Sequence, residues 1–245
     1  MAKRETPAYE HLRLTDALRR GVRVILVGIN PGVMSAVTGH HFAGPTNRFW
    51  GLLYESGIVP EPITYEDDVR LPEWGIGMTN LVARPSPGID TLKPQEYLEG
   101  WKILEKKIAR YRPAIVAFVG VTMYRALWRV LGHARAPQVR PGFQDATIHG
   151  ARMFVLPNPS GRNAHFQYDE MLEAFRALAR AIRTLPRNRS DKPAFAEAPA
   201  GGPANAKAPA GGPANAKAPA GRPRGDAPRK TNALPRDRRR RAAAS

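Results

Sequence analysis

The sequence predicts an α/β protein: a three-layer α/β/α sandwich around a central, mainly parallel four-stranded sheet, followed by a disordered basic tail. Three observations predict it. Four short, largely apolar runs read as buried strands, at Val22–Val27, Gly77–Val82, Ala114–Val119 and Arg152–Leu156. Stretches of helical periodicity lie between and after them, and strands alternating with helices argue for a parallel sheet covered on both faces. From Arg187 onward the composition changes to Ala, Pro, Gly and Arg. The expected domains are therefore 1–186, which is long enough to bury a proper core, and a tail over 187–245.

Residues 8–20 mix basic and apolar side chains and are expected to form a short helix. The first strand ends abruptly in Gly28-Ile29-Asn30-Pro31-Gly32. Gly and Pro then mark a loop from Val33 onward. Thr46 or Asn47 is placed to cap a helix running through Phe49, Trp50, Leu52 and Leu53 to about Ser56. Residues 57–76 are turn-rich. The strand at Gly77 precedes a loop with Arg84, Pro85 and Pro87, and Pro94 opens a long helix to about Arg112. Tyr97, Trp101, Leu104, Ile108 and Tyr111 fall at spacings of four, three, four and three, one helical face that packs on the sheet. After the strand at Ala114 a helix is expected from about Thr122 to Leu131, then a loop over 132–148. The strand at Arg152 ends in Pro157-Asn158-Pro159-Ser160-Gly161. A last helix spans about Tyr168 to Thr184, with Met171, Phe175, Leu178 and Ile182 on one face.

The formal net charge is +17 and the isoelectric point about 10.9, which suggests a polyanionic partner, nucleic acid first. The charge is uneven. The tail holds 14 Lys and Arg against 4 Asp and Glu, and the rest of the chain 24 against 17. Ala198–Lys207 repeats identically as Ala208–Lys217, and a run of arginines lies at Arg238–Arg241; this composition reads as an extended tether for DNA, acting by counterion release. Cysteine is absent, which excludes disulfides, thiol nucleophiles and iron–sulfur clusters. No signal peptide and no membrane span are read, so the expected location is cytoplasmic, with no membrane partner.

Two strand ends carry an Asn-Pro turn, Asn30-Pro31-Gly32 and Asn158-Pro159-Ser160-Gly161. Ligands of open α/β sheets bind beyond the carboxyl ends of strands. If the two strands lie near each other, the turns face across a cleft, with Phe42 on the loop after the first. Amides and an aromatic face suit a flat, uncharged heterocycle: the ring stacks and the amides read its edge.

Gly28-Ile29-Asn30-Pro31-Gly32, with Thr38-Gly39, Phe42-Ala43, Pro45 and Asn47-Arg48-Phe49-Trp50, resembles the first motif of the mismatch-specific uracil-DNA glycosylases, a family that includes the vertebrate thymine-DNA glycosylase. Asn158-Pro159-Ser160-Gly161 resembles the second motif, and Gly77-Met78-Thr79-Asn80-Leu81-Val82-Ala83-Arg84-Pro85 the segment between. The resemblance runs in order over about residues 20–184. It implies excision of uracil, with thymine or damaged pyrimidines as further substrates, from G·U or G·T mismatches in double-stranded DNA. It further implies that Asn30 positions the hydrolytic water and that Ile29, Phe42, Asn80 and Asn158 line the base pocket, Phe42 stacking on the flipped base. Ser160, Gly161, Arg162 and Asn163 match the loop that enters the duplex. Two departures bear on substrate range: Arg162 stands where the bacterial members often have leucine, and Asn80 where the bacterial enzyme has lysine.

Cleaving the bond between C1′ and uracil N1 develops positive charge on the sugar and negative charge on the base. No carboxylate adjoins the first turn, so a dissociative reaction is expected, with Asn30 orienting water rather than deprotonating it. Asn158 can donate to the departing base but brings no charge. Neither turn carries a lysine, which predicts a monofunctional enzyme without a Schiff base. No metal or cofactor is expected, and a monomer is the default. His40-His41 lack a third ligand at useful spacing. Glu66-Asp67-Asp68 reads as a solvated acidic patch; His133, His149 and His165 as surface or loop residues; Arg84 and Arg140 as further contacts to DNA. The alternative readings are a catalytically weak or inactive DNA-binding module on the same fold, and a nucleotide binder, which the lack of a G-x-G-x-x-G or P-loop argues against.

Overall fold

The computed structural model describes residues 8–132, 138–161 and 163–186. The expectation of a disordered tail from Arg187 concerns residues outside that set. The strands are β1 (Val24–Gly28), β2 (Ile76–Asn80), β3 (Ile115–Val119), β4 (Gly142–Ile148) and β5 (Ala151–Leu156), and they form one sheet in the order β2-β1-β3-β5-β4. The three pairings β2–β1, β1–β3 and β3–β5 are parallel, as the alternation of strands and helices predicts. The helices are α1 (Val33–Thr38), α2 (Phe49–Glu55), α3 (Pro94–Tyr111), α4 (Val121–Val130) and α5 (Tyr168–Thr184).

Successive side chains along a strand point to opposite faces, and β1 buries both. Val24 and Leu26 join Met78, Phe154 and the apolar stripes of α2 and α5. Ile25 and Val27 join Phe118, Leu104 of α3 and Tyr124 of α4. Two cores on either side of one sheet make the three layers. All five residues of β1 and of β3 are buried, which is why both read as continuous apolar runs.

The sheet has five strands, not four. Gly142–Ile148 is an edge strand antiparallel to β5, where the sequence reads as loop. His149 and Gly150 close the hairpin with φ of 47° and 82°, the left-handed pair that a two-residue hairpin turn needs. Exposure alternates along β4, whose exposed positions are Phe143, Asp145 and Thr147, so no apolar run marks it. Arg152 lies over the ring of Phe143, 3.5 Å from its centroid, across the hairpin.

Two local expectations also change. Residues 8–20 form only one turn of 3-10 helix, Ala8–His11; Ala17 then pairs with Met78 through two main-chain hydrogen bonds of 3.0 and 2.8 Å. The open edge of β2 offers unpaired backbone groups, and satisfying them outweighs a weak helical pattern. The loop expected from Val33 begins with the short helix α1, stopped by Gly39 at φ 79°.

β1 connects to β2 on one side of itself, while β3 lies on the other. The strand order therefore reverses at β1 and β3, and a crevice opens beyond their carboxyl ends.

Candidate active site

The residues after β1 and β2 continue side by side beyond the sheet. Leu81 N donates to Gly28 O, Val82 N to Ile29 O and Ser86 N to Pro31 O, at 2.8, 2.8 and 3.0 Å. This lays residues 84–86 against Asn30. The Asn30 amide nitrogen Nδ2 donates to Ser86 Oγ (2.8 Å), Arg84 O (3.1 Å) and Pro31 O (3.2 Å). Two of these acceptors are carbonyl oxygens, which cannot donate, so the amide orientation is dictated chemically. Ser86, only 2 % exposed, passes its own proton to Gly88 O at 2.7 Å. Asn30 is thus held by its nitrogen, and Oδ1 is the end left to accept.

The turn after β5 is built the other way round. Asn158 Oδ1 accepts from Ser160 N at 3.0 Å, closing an Asx turn. Asn163 Nδ2 then donates to the Asn158 carbonyl at 2.8 Å, and Asn163 N to Ser160 O at 2.9 Å. Asn158 is exposed and held by its oxygen, so Nδ2 is the end it presents.

β5 lies two places from β1 with β3 between them, so the two turns flank the end of β3. They are joined through the loop before α2. Arg48 N donates to Pro159 O at 3.0 Å. Gly161 packs so closely on Thr46 that a Cβ there would sit 2.7 Å from the Thr46 carbonyl oxygen. Asn47 Oδ1 accepts from Phe49 N at 3.0 Å, the cap-like contact expected at the start of α2.

Gly28 pairs in register with Asn80. A Cβ on Gly28 would lie 2.5 Å from Asn80 Oδ1 and 3.3 Å from Phe42 Cζ, so these two side chains converge over a backbone that must lack one. Phe42 is half-buried, has φ of 51°, and stacks on Phe49 with centroids 4.0 Å apart and planes 15° from parallel. Ile29 packs into the α3 side of the core.

Phe42 follows two histidines fastened to one carboxylate. Asp68 accepts from His40 Nδ1 (3.0 Å), His41 Nδ1 (3.0 Å) and the His41 backbone N–H (2.8 Å). Asp68 is 3 % exposed. The expectation of a solvated patch fails for it: the 3-10 helix Tyr65–Trp74 turns Asp68 inward while Glu66 stays exposed. Burial pushes its pKa up, but the bonds from His41 and His40 outweigh this and hold the carboxyl below its ordinary value.

Arg84 is not a free cation for DNA. Its Nε and Nη2 meet Glu96 Oε1 and Oε2 at 2.7 and 3.0 Å. That bidentate pairing holds the Glu96 carboxyl below its usual value, against the opposing effect of burial. His149 lies in the hairpin turn and His165 is exposed, as expected; His133 and Arg162, the residue expected to act as a wedge, fall outside the described residues.

The structure thus brings Phe42 and Asn80 together over Gly28, two residues before Asn30, with Asn158, Ser160, Gly161 and Asn163 across the end of β3. Sequence reasoning missed Ser86, the Arg84 carbonyl and Asp68. The Pro85-Ser86-Pro87-Gly88 segment carried a signal for the first two, since paired prolines announce a rigid loop. The cavity of about 190 Å³ lined by Trp101, Tyr124, Leu127 and Trp128 contains none of these residues.

The family model of the Uracil DNA glycosylase superfamily matches residues 16–180, two thirds of the chain. Among solved structures the chain is similar to a candidate uracil DNA glycosylase from Methanosarcina acetivorans, at 20% identity over 69% of this chain and 98% of that one, with a TM-score of 0.45. A likeness of that strength carries no argument of its own.

Proposed function

From the premise that the chain belongs to the uracil DNA glycosylase superfamily, we propose that it hydrolyses the N-glycosidic bond of uracil in G-mismatched duplex DNA as a monofunctional enzyme of base excision repair. The observation that carries this reading is the opposite orientation of two amides across one cleft, Asn30 held by its nitrogen and Asn158 by its oxygen.

The chemistry needs one acceptor and one donor in those places. As the C1′–N1 bond breaks, its electron pair leaves with uracil and the sugar becomes cationic. Asn30 Oδ1 accepts a hydrogen bond from water and aims its oxygen at C1′; the new C1′–O bond forms as the water gives up a proton to solvent. Asn158 Nδ2 donates to the uracil anion as it departs. The amide brings no charge, so the reaction is slower than a histidine at this place would allow. Phe42, one face covered by Phe49, offers its other face to the flipped ring, and Asn80 reads the ring edge beside it. Ile29 closes the pocket wall. Ser160, Gly161, Arg162 and Asn163 form the loop that enters the duplex. A mispaired uracil is cheapest to flip, which favours G·U over A·U. Thymine is a further substrate of this reading, because no lysine or bulky side chain stands at Asn80.

The test is single-turnover excision on matched oligonucleotides carrying G·U, A·U, G·T and single-stranded uracil. Cleavage of G·U well above A·U supports the mismatch reading. Equal cleavage of every uracil substrate makes this a general uracil glycosylase. Tight DNA binding without cleavage of any substrate rejects the enzymatic reading. Borohydride trapping of a covalent DNA adduct rejects the monofunctional one.

A further inference from the structure

Asn30 has no fixed direction of its own. What aims it is residues 84–86, and what fixes those residues reaches back to α3. The Arg84 guanidinium grips Glu96 with two parallel bonds of 2.7 and 3.0 Å, and its Nη2 also donates to Thr91 O at 2.9 Å. A fork on a carboxylate fixes both distance and angle, which a single contact does not. Glu96 is itself anchored, because its Oε2 accepts from Lys93 N at 2.8 Å at the start of α3. That helix runs 18 residues along the sheet and buries Tyr97, Leu104 and Ile108 in the core. From this rigid base the line passes through Glu96 and the Arg84 side chain to the Arg84 carbonyl, which accepts from Asn30 Nδ2 at 3.1 Å.

We propose that the Arg84–Glu96 ion pair is a positioning device for Asn30, setting the direction in which the amide presents Oδ1 to the attacking water; this rests on the functional reading above. The magnitudes favour positioning over stability. Both side chains keep a quarter or so of their surface in solvent, 28 % and 21 %, and pairs so exposed contribute at most about 1 kcal/mol to folding. A displacement of about 1 Å at a group that aims a reactant costs up to about a hundredfold in rate. Neither residue touches the base or the water, so neither is catalytic.

The experiment compares Glu96→Gln, Arg84→Lys and the double variant in the full chain. Arg84→Lys keeps the charge and loses the fork. Glu173→Gln, which breaks the 2.7 Å Arg180–Glu173 pair on α5, is the control. Two quantities are measured: solvent exchange of the Asn30 side-chain amide protons by NMR, and single-turnover excision of uracil from a G·U duplex alongside DNA affinity. Amide exchange is expected to quicken about tenfold in both single variants and excision to slow about tenfold, with DNA affinity within twofold of wild type. The double variant falls no further than either single one, and the control moves nothing. Unchanged amide exchange overturns the proposal whatever the excision rates are. Faster exchange with undiminished excision overturns it equally. If the wild-type protein excises no uracil, the functional reading fails separately, and the exchange measurement still decides whether the pair holds Asn30.

Discussion

The turns that close β1 and β5 share an Asn-Pro pair and a position at the carboxyl edge of the sheet, but they differ in how the asparagine is held. Asn30 lies half-buried, its nitrogen bound by three acceptors contributed by two loops. Asn158 is exposed, its oxygen bound among the described residues by an amide two residues on. The first needs the rest of the molecule to be aimed; the second is aimed by its own turn. Identical chemistry in the side chain thus yields an acceptor at one lip of the cleft and a donor at the other, and the difference comes from neighbours rather than from residue type.

That contrast can be broken by substitution. The largest effect is expected for Asn30→Ala, which removes the acceptor: single-turnover excision of uracil falls on the order of 10²–10³-fold with DNA affinity retained. A full-rate Asn30→Ala protein refutes the role. Next, aspartate should fail at both turns for opposite reasons. Asn30→Asp sets a carboxylate against the Arg84 and Pro31 carbonyls and strips them of their donor, so a denaturant melt should show a loss of about 2 kcal/mol. Asn158→Asp keeps the bond from Ser160 N, so stability holds, but a negative charge faces the departing base and excision slows about tenfold or more. Equal behaviour of the two aspartate variants would dissolve the contrast.

A smaller effect tests whether the lips act together. Gly161→Ala puts a methyl 2.7 Å from the Thr46 carbonyl, which must part the two loops. We expect a stability loss of about 1–2 kcal/mol and a few-fold drop in excision; wild-type values for both would show the loops to be independent. The smallest effect is a pH dependence at Asp68. Its folded-state pKa is depressed below the ordinary carboxylate value, so its stabilisation is fully present above about pH 4 and is lost as pH falls through the lower folded value. Wild-type protein should therefore lose stability below about pH 4 more steeply than Asp68→Asn, compared by thermal melts from pH 3 to 6. Parallel curves would remove Asp68 from the account.

What could be read in the sequence follows from where each signal resides. β1, β3 and the Met153–Leu156 part of β5 were legible because residues buried on both faces form an unbroken apolar run, and α3 and α5 because one face repeats at helical spacing. β4 was not, because an edge strand with one exposed face alternates through Gln144, Asp145 and Thr147. The positions of Asn30 and Asn158 were legible as breaks after apolar runs. The direction of the Asn30 amide was not, since its acceptors at Arg84 and Ser86 lie 54 and 56 residues away. Asp68 was misread because three consecutive acids look alike in sequence, and only the phase of the 3-10 turn, which buries Asp68 with Leu71 one turn on, decides which one points inward.

The parallel sheet also sets a timetable. Val24 pairs with Ile76 on one side and Ile115 on the other, and Phe49 beside Phe42 packs against Phe175. Contacts so distant in sequence close slowly and only after long stretches of chain exist to make them. During synthesis, the Asn30 turn leaves the ribosome well before its companion at Asn158 and the α5 face behind Phe49. A chain that stopped between the two turns would carry Asn30, Phe42 and Asn80 without the Asn158 lip or the α5 face behind Phe49, so the two turns flank the end of β3 only once β5 has been made.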